Sequence, residues 1–305
     1  MSPADRGSGL RIGNAPLSWG VFEGDARDNP SWDEVLDEIV AAGYRQTELG
    51  PIGFLPENVE VLRRELDTRG LTLTGGFVYE HMHDPEQRIL ALSNTRRVGE
   101  VLSSLGARQL VIIDRMVMER QRTAGRGEEA ERLDTAAWDA MIETIAEVAR
   151  IANEEFGLRP VIHPHCGTHI EFADEIAAAL QDLPDSVGLC VDTGHSVVAG
   201  MRPADLVDRY AERIGYLHLK DVDEAAIHVM LNRDLEFEEA LGVGLFCPLG
   251  RGIVDFAALG ASLQRVGFTG VATVEQDPDP RVTQHRALES ARESLEFLRG
   301  VGFAE

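Results

Sequence analysis

Four stretches of the sequence end in side chains that bind metals or move protons: HPHCGT (163–168), CVDTGH (190–195), LHLKD (217–221) and VEQD (274–277). Asp192, His218 and Glu275 supply a carboxylate, an imidazole and a second carboxylate. That set suits one divalent ion, with manganese or cobalt expected first and zinc or magnesium as alternatives. The structural alternative has Asp192 capping a turn, His218 packed in a core and Glu275 paired with Lys220. His163 and His165 share one face of an extended chain, because side chains alternate with a period of two. One of them completes the metal set and the other meets substrate. Glu171, eight positions beyond His163, is the second choice as ligand, since its charge also suits the start of a helix.

Two further groups could move protons. His195, three positions after Asp192, is expected as a general base or as the holder of a substrate hydroxyl. Lys220 follows His218 by two positions and so points the same way. Its ammonium could stabilise an oxyanion or protonate a leaving hydroxyl, unless it only pairs with Asp221 or Asp223. Glu275 serves as base as well as ligand in this reading, and His165 as an acid. Asn14, Trp19, Glu48, His165 and Arg251 are the candidates for substrate contact. Trp19 offers a flat apolar wall, although core packing accounts for it equally well.

These residues matter if the chain sets them on one rim. Short apolar, β-branched runs alternate with helical patterns along the sequence, which argues for parallel strands covered by helices. Strands are expected at 11–17, 46–49, 72–78, 109–113, 160–163, 188–191, 214–219 and 270–275. Helices are expected at 31–42, 56–69, 85–105, 135–156, 172–180, 203–210, 255–266 and 283–300. Ser31 and Asp255 read as N-caps, and Gly43, Gly70, Gly106, Gly157 and Gly267 as helix stops. Eight such units close a single-domain (β/α)8 TIM barrel over residues 11–305, with residues 1–10 as a short tail. A doubly wound sheet fits the same alternation. In a barrel the carboxyl ends of the strands carry the active site, and the four polar stretches fall on strands five to eight. The charged stretch 118–132 is expected as a mobile loop. Residues 224–249 read as a long insertion over the site, with Leu235, Phe237 and Leu241 apolar enough to fold over something.

Composition narrows the partners. The chain of 305 residues carries 52 acidic and 29 basic side chains, a net charge of -23. Such a surface repels nucleic-acid phosphates and anionic membranes. Cys166, Cys190 and Cys247 are sparse and odd in number, as expected of reduced thiols in a cytoplasmic protein. No apolar run reaches the roughly 20 residues of a membrane span, and the first residues lack a signal core. There is no nucleotide-binding glycine fingerprint and no GxSxG elbow. The composition is compatible with a homo-oligomer and does not specify one.

Taken together, GNAPLSWGVFE, ELGPIGFLP, HPHCGTHIE, CVDTGH, YLHLKD and VEQD resemble the xylose-isomerase-like TIM-barrel superfamily of sugar isomerases, epimerases and dehydratases. The first two and HPHCGT are most similar to its inosose dehydratase (2-keto-myo-inositol dehydratase) branch. The resemblance implies one divalent metal held by an acidic residue on strand five, then by Asp192, His218 and Glu275. Strand five departs from that pattern, because His163 stands where many relatives place Glu. Loss of that carboxylate fits a dehydratase better than an epimerase, which exchanges a proton between two metal-bound glutamates. The expected reaction is loss of water from a small cyclic polyhydroxy ketone, 2-keto-myo-inositol or a close relative, through a metal-stabilised enolate. A metal-dependent sugar or keto-inositol isomerase or epimerase is the alternative. An endonuclease relative would want a basic surface, which the charge opposes. A sugar-binding protein without catalysis would not need the acid–base groups.

Overall fold

The computed structural model describes residues 10–277 and 287–303. All but the last position of the expected tail, and the first turn of the helix expected at 283–300, lie outside the described residues. Eight strands close a parallel barrel: β1 (Arg11–Asn14), β2 (Gln46–Glu48), β3 (Thr72–Glu80), β4 (Gln109–Asp114), β5 (Arg159–Ile162), β6 (Gly188–Asp192), β7 (Ile214–Leu219) and, after a small ribbon, β10 (Val271–Val274), which pairs with β1. The ribbon is β8 (Asp221–Val222) against β9 (Phe246–Cys247), antiparallel. The doubly wound alternative is excluded by the closure of β1 on β10.

Helices α1 (Trp32–Ala42), α2 (Val59–Arg69), α3 (Arg88–Ser104), α5 (Thr135–Phe156), α6 (Ala173–Asp182), α8 (Pro203–Arg209), α11 (Phe256–Val266) and α12 (Ala287–Gly300) match the eight expected helices. Short helices α4 (Met118–Gln121), α7 (Thr193–Val198), α9 (Glu224–Asn232) and α10 (Phe237–Gly242) had no separate sequence signal. Asp255 caps α11 through its side chain, whereas the Ser31 hydroxyl turns to Asp33 and leaves α1 without a side-chain cap. Gly43, Gly70, Gly157 and Gly267 end their helices in the left-handed conformation, where a β-carbon is disfavoured.

Strand alternation sorts side chains into two cores. Val111, Ile113, Val161, Cys190, Tyr216 and Val271 fill the barrel. Leu110, Ile112, Ile162, Leu189, Val191, Leu217 and Leu219 face the helices. Continuing the inner set by two along each strand reaches His163, Asp192, His218 and then Lys220, and from Val271 it reaches Glu275. The period of two therefore delivers these groups to the barrel mouth.

The charged stretch 118–132 is not the mobile loop expected. Arg120 is 1% exposed and donates to both Glu175 oxygens at 2.8 and 3.0 Å and to the Glu131 carbonyl. Arg132 also pairs with Glu175. Arg120→Ala leaves the Glu175 carboxylate buried with a poorer partner, and removal of one member of such a pair typically costs about 3 kcal/mol or more. Denaturant unfolding should show that loss. A change under about 1 kcal/mol would mean that Arg132 alone compensates Glu175.

Candidate metal centre

His163 follows β5, Asp192 ends β6, His218 lies in β7 and Glu275 follows β10. One ligand atom from each lies within 4.8 Å of all the others. His163 Nε2 is 3.3 Å from Asp192 Oδ2, His218 Nδ1 is 3.2 Å from Glu275 Oε2, and 3.9 Å separates His218 Nδ1 from Asp192 Oδ2. All four residues are buried. Asp192 is braced by accepting the His195 backbone N–H at 2.9 Å through Oδ1, leaving Oδ2 toward the histidines.

The orientation of His218 is fixed from behind. Its Nε2 meets Glu48 Oε1 at 3.1 Å, and the same oxygen accepts the Tyr216 hydroxyl at 2.9 Å. Tyr216 also meets Thr273 and Thr74. His218 Nδ1 is buried, without a well-formed hydrogen bond, and turned to Asp192 and Glu275. An imidazole whose far nitrogen meets a carboxylate presents its near nitrogen as a ligand. Two nitrogens and two carboxylates, crowded in a dry place, fit a divalent ion of the transition-metal type.

Charge compensation comes from Lys220, whose Nζ lies 2.9 Å from Glu275 Oε2 and 3.1 Å from Asp277 Oδ2. Burial alone would lower its pKa, but Asp277 and Glu275 outweigh it and hold the ammonium charged. Burial would raise Glu275, yet His218 and Lys220 hold it well below the ordinary carboxylate range. Asp192 is likewise lowered, against burial, by His163 and Lys220.

His165 and His195 stack with ring centres 3.7 Å apart. The Cys166 carbonyl can only accept, so His165 Nδ1, at 2.8 Å, carries a proton and its Nε2 has the lone pair. The Cys166 N–H donates to His195 Nδ1 at 3.3 Å, which puts the His195 proton on Nε2, a buried atom without a partner. Burial pushes His165 down to about 3 and His195 well below its ordinary value, so both rings are neutral. The expected general base at His195 thus has its free nitrogen protonated. It is a hydrogen-bond donor in this geometry.

Phe237 of α10 packs on both rings at 5.8 and 5.7 Å between centres, and Phe246 lies 5.5 Å from His195. The insertion therefore covers this side of the site. Tyr216, Asp277 and Phe246 escaped the sequence reading. The first two stand two residues from His218 and Glu275, so the strand period could have found them.

Several expected residues lie elsewhere. Glu171 is not with the cluster: its oxygens accept the Gly125 and Gly167 N–H groups at 2.7 and 2.9 Å, and burial raises its pKa to about 7. Asn14 continues the outward Ile12 face and lies beside Tyr44. Trp19 is core, its indole donating to Glu38 at 2.6 Å. Arg251 is exposed and paired with Glu293. Glu48 is at the site, but behind His218.

The closed barrel and the His/Asp/Glu cluster on its rim define a TIM barrel with a candidate metal site at its mouth. The chain belongs to the xylose isomerase-like TIM barrel family, whose pattern matches residues 36–301, and it is an enzyme. It is 31% identical over 95% of its length to the inosose dehydratase of Geobacillus kaustophilus (strain HTA426), covering 94% of that protein. It is 33% identical over 89% to the rhizopine catabolism protein MocC of Rhizobium meliloti, covering 82% of that chain. The crystal structure of IOLI protein with a binding zinc atom superposes with TM-score 0.71 at 15% identity, covering 97% of this chain and 99% of the other. No helix among the described residues is long and apolar enough to cross a membrane.

The stacked rings give a direct check. Nitrogen-15 NMR at neutral pH should show His195 protonated at Nε2 and His165 at Nδ1, both uncharged. The opposite tautomers, or an imidazolium signal from either ring, would refute the assignment.

Proposed function

We infer that the protein is a metal-dependent dehydratase that removes water from a small cyclic polyhydroxy ketone, 2-keto-myo-inositol or a near relative. The observation that carries this reading is the contact of Lys220 with Glu275 at 2.9 Å, with the same Glu275 oxygen 3.2 Å from His218. An elimination needs a base and an acid side by side, and here they touch at the edge of the cluster. The substrate class is supported by the inosose dehydratase relatives, which match nearly the whole chain.

His163, Asp192, His218 and Glu275 would hold the ion, with manganese, cobalt and zinc the best match to two nitrogens and two carboxylates. When bound, such an ion supplies Lewis-acid stabilisation of the charge that develops on the ketone oxygen. Glu275 accepts the proton α to the carbonyl, and the C–H electron pair becomes the enolate. The enolate pair then forms the carbon–carbon double bond as the β carbon–oxygen bond breaks. Lys220 gives its proton to the departing hydroxyl, which leaves as water. Glu275 returns the captured proton to Lys220 across their contact, so both groups are reset. The enol product relaxes to a dione. His195 Nε2–H donates to, and His165 Nε2 accepts from, substrate hydroxyls, while Phe237 and Phe246 exclude water.

With manganese or cobalt supplied, 2-keto-myo-inositol should lose 18 mass units, roughly one water, with conjugated dione absorbance appearing. Lys220→Ala and His195→Ala should lower turnover about 100-fold while metal content stays near that of the unmutated protein. Asp192→Ala should lose activity together with the ion at the barrel mouth. Product of unchanged mass but altered stereochemistry or carbonyl position would make the enzyme an isomerase or epimerase.

Base and acid in contact also imply that the proton and the hydroxyl leave from one face of the ring. Stereospecifically deuterated substrate tests this, and loss of label from the opposite face would separate the base from Glu275.

A further inference from the structure

A second group of metal-ligand type lies on the rim and takes no part in the reaction above. His83 follows β3, Asp114 ends β4 and His169 lies in the loop between β5 and α6. His83 Nδ1 is 3.0 Å from Asp114 Oδ1, and His169 Nδ1 is 2.9 Å from Asp114 Oδ2. The two rings are 4.4 Å apart between centres, and one ligand atom from each of the three residues lies within 4.8 Å of the others.

Strand alternation separates this group from the barrel mouth. Asp114 continues the outward face of Leu110 and Ile112, which belongs to the core between barrel and helices. Val111 and Ile113 carry the inward face. The mouth cluster instead continues inward faces. His83 and His169 line a pocket of about 180 Å³ with Val117, Glu119, Arg120 and Arg132 among its walls. Their side chains are 19% and 11% exposed, whereas Asp114 is wholly covered. The group is thus closed behind Asp114 and open toward the pocket.

We propose that His83, Asp114 and His169 form a second divalent-cation site, of the zinc or cobalt class, with the pocket supplying its remaining water ligands. Two imidazole nitrogens and one carboxylate are the donors such ions take, and hard ions such as magnesium prefer oxygen. Around an ion about 2.1 Å from each donor, the nitrogen–oxygen separations subtend about 90°, so small movements suffice for binding. The carboxylate is already oriented. Asp114 Oδ1 accepts the Met82 N–H at 2.9 Å and Oδ2 the His169 N–H at 3.3 Å, the kind of outer support that fixes a metal ligand. With both imidazoles acting as neutral nitrogen donors to the ion, the one carboxylate would bring a single negative charge for it to meet. Arg120 in the pocket wall is already matched by Glu175.

The test is stoichiometry, read without activity. The full-length protein is stripped with chelator, dialysed against zinc or, separately, cobalt, freed of loose ion and assayed for metal. Two ions per chain are expected. His83→Ala and His169→Ala should each retain one, Asp192→Ala should retain one, and His83→Ala with Asp192→Ala should retain none. Asp114 is too deeply buried to be a safe substitution, so the partly exposed histidines are used, with thermal melts confirming that each variant folds. Cobalt bound to Asp192→Ala should shift the His83 and His169 ring protons in NMR. One ion in the unmutated protein, lost with Asp192→Ala and kept by His83→Ala, overturns the proposal. So does retention of both ions by His83→Ala, or filling by magnesium in preference to zinc. One ion kept by Asp192→Ala and lost with His83→Ala supports this site and removes the mouth centre, so the two readings can fail separately.

Discussion

His218 stands among three buried carboxylates, and the site is organised around that fact. Glu48 is 3.1 Å away on one side, with Glu275 at 3.2 Å and Asp192 at 3.9 Å on the other. Carboxylates taken out of water cost several kcal/mol each unless paired. They can share this space because each has another partner. Glu48 takes the Tyr216 hydroxyl, Asp192 the His195 backbone N–H, and Glu275 the Lys220 ammonium. Burial alone would lower the His218 pKa, but the surrounding negative groups raise it well above its ordinary value. The imidazole is thereby under tension between carrying a proton and serving as a ligand. A divalent ion, if held by His163, Asp192, His218 and Glu275 as proposed, would relieve that tension by replacing the proton.

This arrangement needs a barrel. His163, Asp192, His218 and Glu275 are far apart in the chain and come from consecutive positions around a closed sheet. Parallel pairing sets Asp192 opposite His218, and the pairing of Thr273 with His218 places Glu275 two residues further up the neighbouring strand. A one-residue slip in either pairing would turn the group to the helix side. The large apolar cores therefore do more than stabilise the chain: they hold the register that aims the polar ends.

Much of this was legible in the sequence. Ile214–Leu219 and Thr135–Phe156 have their observed bounds, because apolar alternation and a Gly stop marked them unambiguously. Their position at the carboxyl ends of strands also marked His163, Asp192 and His218 for the barrel mouth. What failed was long-range. Asn14 and Trp19 sit near the end of β1, but one lies beside Tyr44, just past α1, and the other meets Glu38 of α1, partners that tertiary packing sets. Glu171 was the second choice as ligand, but the backbone N–H groups that claim it come from Gly125 and Gly167. Stretch 118–132 read as mobile because charged runs are usually solvated, yet Arg120 finds its partner Glu175 in α6, 55 residues away. The His83–Asp114–His169 group was invisible for the same reason, its members lying on one strand end and two separate loops.

His163 bears on what the mouth cluster can do. With a carboxylate at that position the four side chains would bring three negative charges, and a divalent ion would leave a net negative site. With the imidazole they bring two, and a divalent ion balances them. An ion less neutralised by its own ligands draws more strongly on a ketone oxygen, so the α proton becomes easier to remove. The same change leaves Glu275 as the cluster carboxylate in contact with Lys220, while Asp192 is tied to the His195 backbone. In the proposed reaction, proton traffic therefore runs through one side of the cluster. Two opposed carboxylates could take a proton from one face and return it to the other. One carboxylate backed by an ammonium can take a proton on one face and deliver one to a neighbouring hydroxyl, which is elimination of water.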